Sequence, residues 1–226
     1  MSSDKVGYRR NPEKALGRIE SFSDSIFGFA ITLLVLDLLQ IPRSEIGLNF
    51  VSAFYANWQH FFSFLVGFCT IMICWINHHH VFCYIVQYDG KFLWINGMLL
   101  LIVTFTPLPT SLFSEFLLEE NNIGLRLFGL TYFLIACVAN LIWMYPYKKG
   151  FLDMKEDDSY YKSILALFRS AVYYTLLAFI ICFISSTIAM IMYAILFSVF
   201  AFPHHFALRL KQYFAKPRNK SHIDIS

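Results

Sequence analysis

Apolar residues fall along this chain in long blocks separated by short polar stretches. The first block runs from Ile19 to Ile41, the second lies between Val51 and Asn77, the third runs from Phe92 to Phe116 and the fourth from Ile123 to Pro146. The last, Ser163 to Phe206, is too long for one crossing and suits two, with a break at Ser185–Ser186. About 20 mostly apolar residues cross a bilayer as a helix, so the pattern predicts an all-α, polytopic membrane protein with about six transmembrane helices. Asn57, Gln59 and His60 near the start of the second block place its first turns in the interface, and Pro107 and Pro109 fall near the end of the third. Glu119–Asn122 and Lys148–Lys162 read as solvated connections. The chain divides into an amino-terminal segment (1–18), a membrane domain (19–206) and a basic tail (207–226).

Composition agrees. The chain is 58% hydrophobic and 15% charged, with 25 Phe, and its mean hydropathy is +0.56. Soluble domains are about 45–50% apolar and about 25% charged. Lipid is the solvent this sequence suits, and no nucleic-acid partner is expected at a net charge of +3. Lys and Arg concentrate on one side: Arg9, Arg10, Lys14 and Arg18 before the first block, Lys91, then Lys148, Lys149, Lys155 and Lys162, then the tail. The other side has Arg43 and Arg126. By the positive-inside rule both termini are cytoplasmic, and the expected location is the plasma membrane. No cleavable signal peptide is visible. The five cysteines are scattered, without metal-site spacing, and read as small buried hydrophobes.

The first block carries unusual polarity. Arg18, Glu20, Ser21, Ser23, Asp24 and Ser25 crowd its start, Thr32 sits at mid-span and Asp37 near its end. Ionisable groups inside a spanning helix are costly and face protein or water. Arg18 and Asp24 are separated by about 240° around a helix and ~9 Å along it, so each needs a partner elsewhere. The second block ends in Trp75-Ile76-Asn77-His78-His79-His80, and the third begins near Asn96 at matching depth. A polar network joining the first three helices at their cytoplasmic ends is expected. Farther along, Phe29, Leu33 and Leu36 form an apolar stripe at i, i+4 and i+7, a pattern that also serves ordinary helix packing.

The segment Arg18-Ile19-Glu20-Ser21-Phe22-Ser23-Asp24 fits the signature R-x-x-x-F-S-D and is followed by S-I-F-G-F-A-I-T-L-L-V-L. With Trp75, His78 and His79 ending the second block, and Asn96, Leu99, Phe105, Pro107, Pro109 and Thr110 in the third, this resembles the transmembrane protein 175 family of potassium channels. The resemblance covers roughly the first half of the chain; the second half matches in hydropathy and helix count. It implies a six-helix subunit, four of which surround a pore lined by the first helix. By position it makes Phe29, Leu33 and Leu36 the apolar constriction and Thr32 a hydroxyl ring. Arg18, Phe22, Ser23 and Asp24 would belong to the motif that holds the helix, with Trp75, His78 and His79 as supports. The family usually has Ile or Leu where this chain has Phe29. The Thr32 hydroxyl either replaces part of an ion's hydration shell or bonds back to the carbonyl of Gly28.

The function expected is therefore a potassium-permeable channel, a homotetramer in contact with lipid, with no cofactor and no metal beyond permeant potassium. The alternative is a proton-coupled secondary transporter using Asp24 and the nearby histidines, although no inverted repeat or pair of broken helices is seen. A di-iron enzyme would need several histidine boxes at helical spacing. His78-His79-His80 and His204-His205 are fragments of such boxes in a chain with 7 His, so no enzymatic role is expected.

Overall fold

The computed structural model describes residues 12–39, 41, 49–115, 123–153 and 158–201. The expected connection at Glu119–Asn122, the charged residues Arg43 and Lys155, and the basic tail lie outside these residues. Among the described residues there are nine helices: α1 Pro12–Leu33, α2 Val35–Leu38, α3 Phe50–Ala56, α4 Trp58–Phe82, α5 Gly90–Phe105, α6 Pro107–Glu115, α7 Ile123–Lys149, α8 Asp158–Ile181 and α9 Ser186–Phe200.

Five stretches are long and apolar enough to cross a bilayer: Ala15–Leu38, Trp58–Phe82, Gly90–Phe113, Ile123–Lys149 and Asp158–Ile181. The sixth apolar helix, α9, has 15 described residues. The breaks have local causes. Asn57 separates α3 from α4 because its amide bonds back to the Ala53 carbonyl at 3.0 Å and its backbone leaves the helical region. The α4 span therefore begins later than the sequence pattern suggested and runs past Asn77 to Phe82. Pro107 lacks the N–H a continuous helix needs, so α5 ends at Phe105 and α6 starts at the proline. Between α8 and α9 the chain turns at Cys182–Ser185, where the Ser185 hydroxyl caps the Ile188 amide at 3.4 Å.

Helix direction alternates, so the bundle has a basic end, where α1 begins, and a far end. Helix α1 packs on α4 and α5, α7 packs on α5, α6 and α8, and α9 rests on α8 and α4. One apolar core lies toward the basic end, around Phe27, Ile71, Phe92, Val103, Trp143 and Tyr161. A second, around Phe113, Phe128, Tyr132 and Tyr193, lies toward the far end; there Phe113 and Phe128 stack at 5.3 Å between centroids. Arg126, near the start of α7, lays its guanidinium over the Phe183 ring at 4.8 Å.

At the basic end two connections are tied together. Ile85 and Leu152 form an antiparallel bridge, with the Val86 amide donating to the Phe151 carbonyl at 2.9 Å and the Asp153 amide to the Tyr84 carbonyl at 2.7 Å. Gly150 makes this turn possible with φ of 69°, a left-handed conformation that favours glycine. Asp89 caps α5, accepting from the Phe92 amide at 2.9 Å and from the Tyr145 hydroxyl at 2.6 Å. The Tyr145 hydrogen bond, first among the causes, holds this carboxyl below its usual range.

Two helices meet so closely at Gly124 that a Cβ there would stand 2.2 Å from the Leu112 carbonyl oxygen. A backbone atom cannot yield as a side-chain tip can. Gly124→Ala is expected to cost at least about 1–3 kcal/mol and to lower the melting temperature in detergent sharply. Gly97→Ala, at a site with nothing within 4 Å, should instead match or exceed the wild type, because alanine is favoured over glycine in helices by about 0.5–1 kcal/mol. Thermal unfolding followed by size-exclusion chromatography would check both.

Candidate functional site

The first helix shows two faces. Ser23, Phe27, Ala30, Leu34 and Asp37 are buried, and their spacing of three and four residues is that of a helix packed on one side. The opposite stripe of Phe22, Ser25, Phe29, Thr32 and Leu36 is exposed in the protomer, with Phe29 at 59% and Leu36 at 53%. Leu33 is half-buried and, with Leu36 and Asp37, lines a cavity beside the stripe. The Thr32 hydroxyl donates to the Phe29 carbonyl at 2.7 Å, not to Gly28. Donation toward the backbone leaves the oxygen lone pairs free to meet a cation.

At the basic end the buried face of α1 is held by a chain of hydrogen bonds with a fixed direction. His78 Nε2 lies 2.9 Å from Asn96 Oδ1. Asn96 Nδ2 donates to Ser23 Oγ at 3.0 Å, and Ser23 Oγ donates to the Ile19 carbonyl at 2.9 Å. Because the Asn96 amide nitrogen is spent on Ser23, its oxygen faces His78, and the imidazole proton sits on Nε2. Nδ1 is then an acceptor, buried without a hydrogen-bond partner among the described residues. Beside this chain, Trp75 Nε1 donates to Asp24 Oδ1 at 2.9 Å. His79 stacks on Trp75 at 5.7 Å and lies 3.3 Å from Glu20; so exposed a pair contributes about 0–1 kcal/mol.

Ser23, Asp24, Trp75, His78, His79 and Asn96 are thus brought together across α1, α4 and α5. Arg18 and Phe22 are exposed in the protomer. Asn77 turns away, donating to the Ile73 and Phe200 carbonyls at 2.7 and 3.3 Å and so joining α4 to α9. Asp24 and His78 bond different partners, so the carboxylate and imidazole that a proton relay would use are not hydrogen-bonded to each other.

A second polar cluster at the far end was not assigned from sequence. Asp37, 8% exposed, accepts from Ser111 at 2.6 Å and from Ser63 at 3.2 Å, and His60 Nδ1 lies 3.2 Å from the same carboxylate. The sequence signal was present: Asp37 and His60 flank one connection, hence lie at similar depth. Ser63 and Ser111, by contrast, look like any serine in an apolar run.

An α-helical, polytopic membrane protein with one polar-studded helix stripe left uncovered in the protomer is the class these features define. Residues 18–107 match the family model described as the endosomal/lysosomal potassium channel TMEM175. A potassium channel of Chamaesiphon minutus is 35% identical over 179 residues, covering 77% of this chain and 88% of the relative. A potassium channel of Streptomyces collinus is 32% identical over 138 residues, covering 60% of this chain and 66% of that one. The crystal structure of a lysosomal potassium-selective channel TMEM175 homologue, also from Chamaesiphon minutus, superposes with a TM-score of 0.72 at 30% identity, covering 84% of this chain and 98% of that one. The chain belongs to the TMEM175 family.

Asn96 is the link on which the buried chain depends. Asn96→Ala should leave the His78 Nε2 proton and the Ser23 oxygen without partners, at about 1–3 kcal/mol. Trp75→Phe should cost about 1.5–3 kcal/mol through the bond lost to a charged Asp24. Melting temperatures of the purified variants in detergent would check both.

Proposed function

We propose that the chain is one subunit of a homotetrameric potassium channel whose pore is lined by α1. The observation that carries this reading is the potassium channel of Chamaesiphon minutus, matched along 88% of its length at 35% identity. The uncovered stripe of α1 supports it in detail. Four copies around an axis turn Phe29 and Leu36 inward as apolar rings, flanked by Leu33. Large apolar rings narrow a pore and let it dewet, which stops ions without a plug. Thr32 lies between Phe29 and Leu36 with its oxygen lone pairs outward, so a ring of these oxygens can stand in for part of the hydration shell of potassium. Phenyl groups at position 29 make a bulkier collar than aliphatic side chains.

In this arrangement Ser23, Asp24, Trp75, His78 and His79 do not touch the ion. They hold α1 at its basic end while the stripe faces the pore. Helix α9 makes the sixth crossing, which returns the carboxyl terminus to the side of the amino terminus. The excess of Lys and Arg puts that side in the cytoplasm, with the channel in the plasma membrane and lipid around its apolar surface. Ion conduction needs no cofactor, and the family is one of channels, not enzymes.

The test is flux from potassium-loaded liposomes containing the purified protein, with sodium substituted in parallel. Potassium flux above sodium flux, absent from empty liposomes, is expected. Phe29→Ala or Leu33→Ala should raise basal flux about tenfold, equivalent to about 1.4 kcal/mol off the barrier. No flux of either ion from the wild type or these variants would overturn the channel reading, and unchanged flux in both variants would remove Phe29 and Leu33 from the constriction.

A further inference from the structure

The first helix is not continuous through its apolar rings. At Leu34 the α-helical pattern stops and resumes as α2. The amides there reach back three residues: Leu34 to the Ile31 carbonyl at 3.3 Å, Asp37 to Leu34 at 3.3 Å and Leu39 to Leu36 at 3.2 Å. Such tightening inside a helix marks a place where its two parts can move separately. The break falls between Thr32 and Leu36, so Leu36 belongs to the outer piece.

What holds that outer piece is the Asp37 carboxylate, through Ser111 of α6 and Ser63 and His60 of α4. Beside it a half-open cavity of about 230 Å³ lies against Leu33, Leu36, Asp37, Phe64, Leu108 and Ser111. This open space leaves Leu36 room to withdraw, and the polar bonds of Asp37 oppose that. A hydroxyl donating to an ionised carboxylate is short and about twice as strong as a neutral pair, and the 2.6 Å bond from Ser111 has that character.

We propose that Asp37 is a positioning residue for the constriction: bonded to Ser111, Ser63 and His60, it fixes how far Leu36 projects and so sets the discrimination between potassium and sodium. This rests on the channel reading above. With the clamp broken, the outer piece relaxes into the cavity, the rings widen, and sodium, the ion the narrow site disfavours, gains most.

The experiment measures potassium and sodium flux in liposomes for wild type, Ser111→Ala, Asp37→Asn, Ser111→Thr and Thr175→Ala. Asp37→Asn keeps the side-chain shape and removes the charge. Ser111→Thr keeps the hydroxyl. Thr175, buried in α8 and bonded to carbonyls of its own helix, reports ordinary destabilisation. Ser111→Ala and Asp37→Asn should raise sodium flux and lower the potassium-to-sodium ratio about tenfold, the bias one charge-assisted hydrogen bond can supply. Ser111→Thr should restore the wild-type ratio, and Thr175→Ala should lower thermal stability at an unchanged ratio. An unchanged ratio in both Ser111→Ala and Asp37→Asn, beside a potassium-selective wild type, would overturn the role of Asp37 and leave the channel reading standing. No flux of either ion from the wild type, Phe29→Ala or Leu33→Ala would overturn both.

Discussion

The hydrogen-bond chain from His78 through Asn96 to Ser23 runs in one direction and ends on the backbone of α1. Its importance follows from the solvent. Between helices in a bilayer the hydrophobic effect supplies no attraction, because lipid tails are as apolar as leucine. Association must come from close packing and from polar groups with few other partners. The helix with the uncovered stripe has a clean packed face at Phe27, Ala30 and Leu34, and polar residues stand just beyond it at both ends. The position of the stripe is thus set by side chains on its opposite face.

Charge is distributed to suit this division of labour. Asp24 of α1 meets the Trp75 indole, and Asp37 of α2 meets two hydroxyls. Serines in the first turns occupy their own protons on the carbonyls four residues back, which leaves oxygen as the group presented outward. An ion passing along such a helix would meet oxygen and apolar carbon, with the buried charges kept behind it. Histidine at 78 fits the same logic, since a ring that donates from one nitrogen and packs against Phe27 and Phe82 serves as a spacer of fixed shape.

The all-helical membrane class and the basic-end cluster were legible in the sequence because both depend on features that survive in one dimension. Block length reports bilayer thickness. Alternating direction puts Ser23, His78 and Asn96 at one depth without any knowledge of angles. The break at Ser185 was visible because an apolar run of that length has to turn, and a serine is a natural cap. What was not legible depends on three dimensions. Gly124 looks like any helical glycine until the α6 backbone is set against it. Ser111 becomes a partner of Asp37 only once the two helices are set side by side. The tightening at Leu34, between Leu33 and Leu36, is what ideal helical angles leave out.

The bridge between Ile85 and Leu152 has a mechanical consequence. It links two interhelical hairpins, α4–α5 and α7–α8, through main-chain bonds, so these four helices form a rigid frame. No main-chain bond between described residues joins α1 to that frame; its links are side chains. A displacement of α1 therefore breaks only a handful of side-chain bonds and exposes no peptide group to lipid, where each unpaired one would cost several kcal/mol. The attachment of α1 to its neighbours is thus written in side chains alone, and single substitutions can loosen or tighten it without unravelling the main chain.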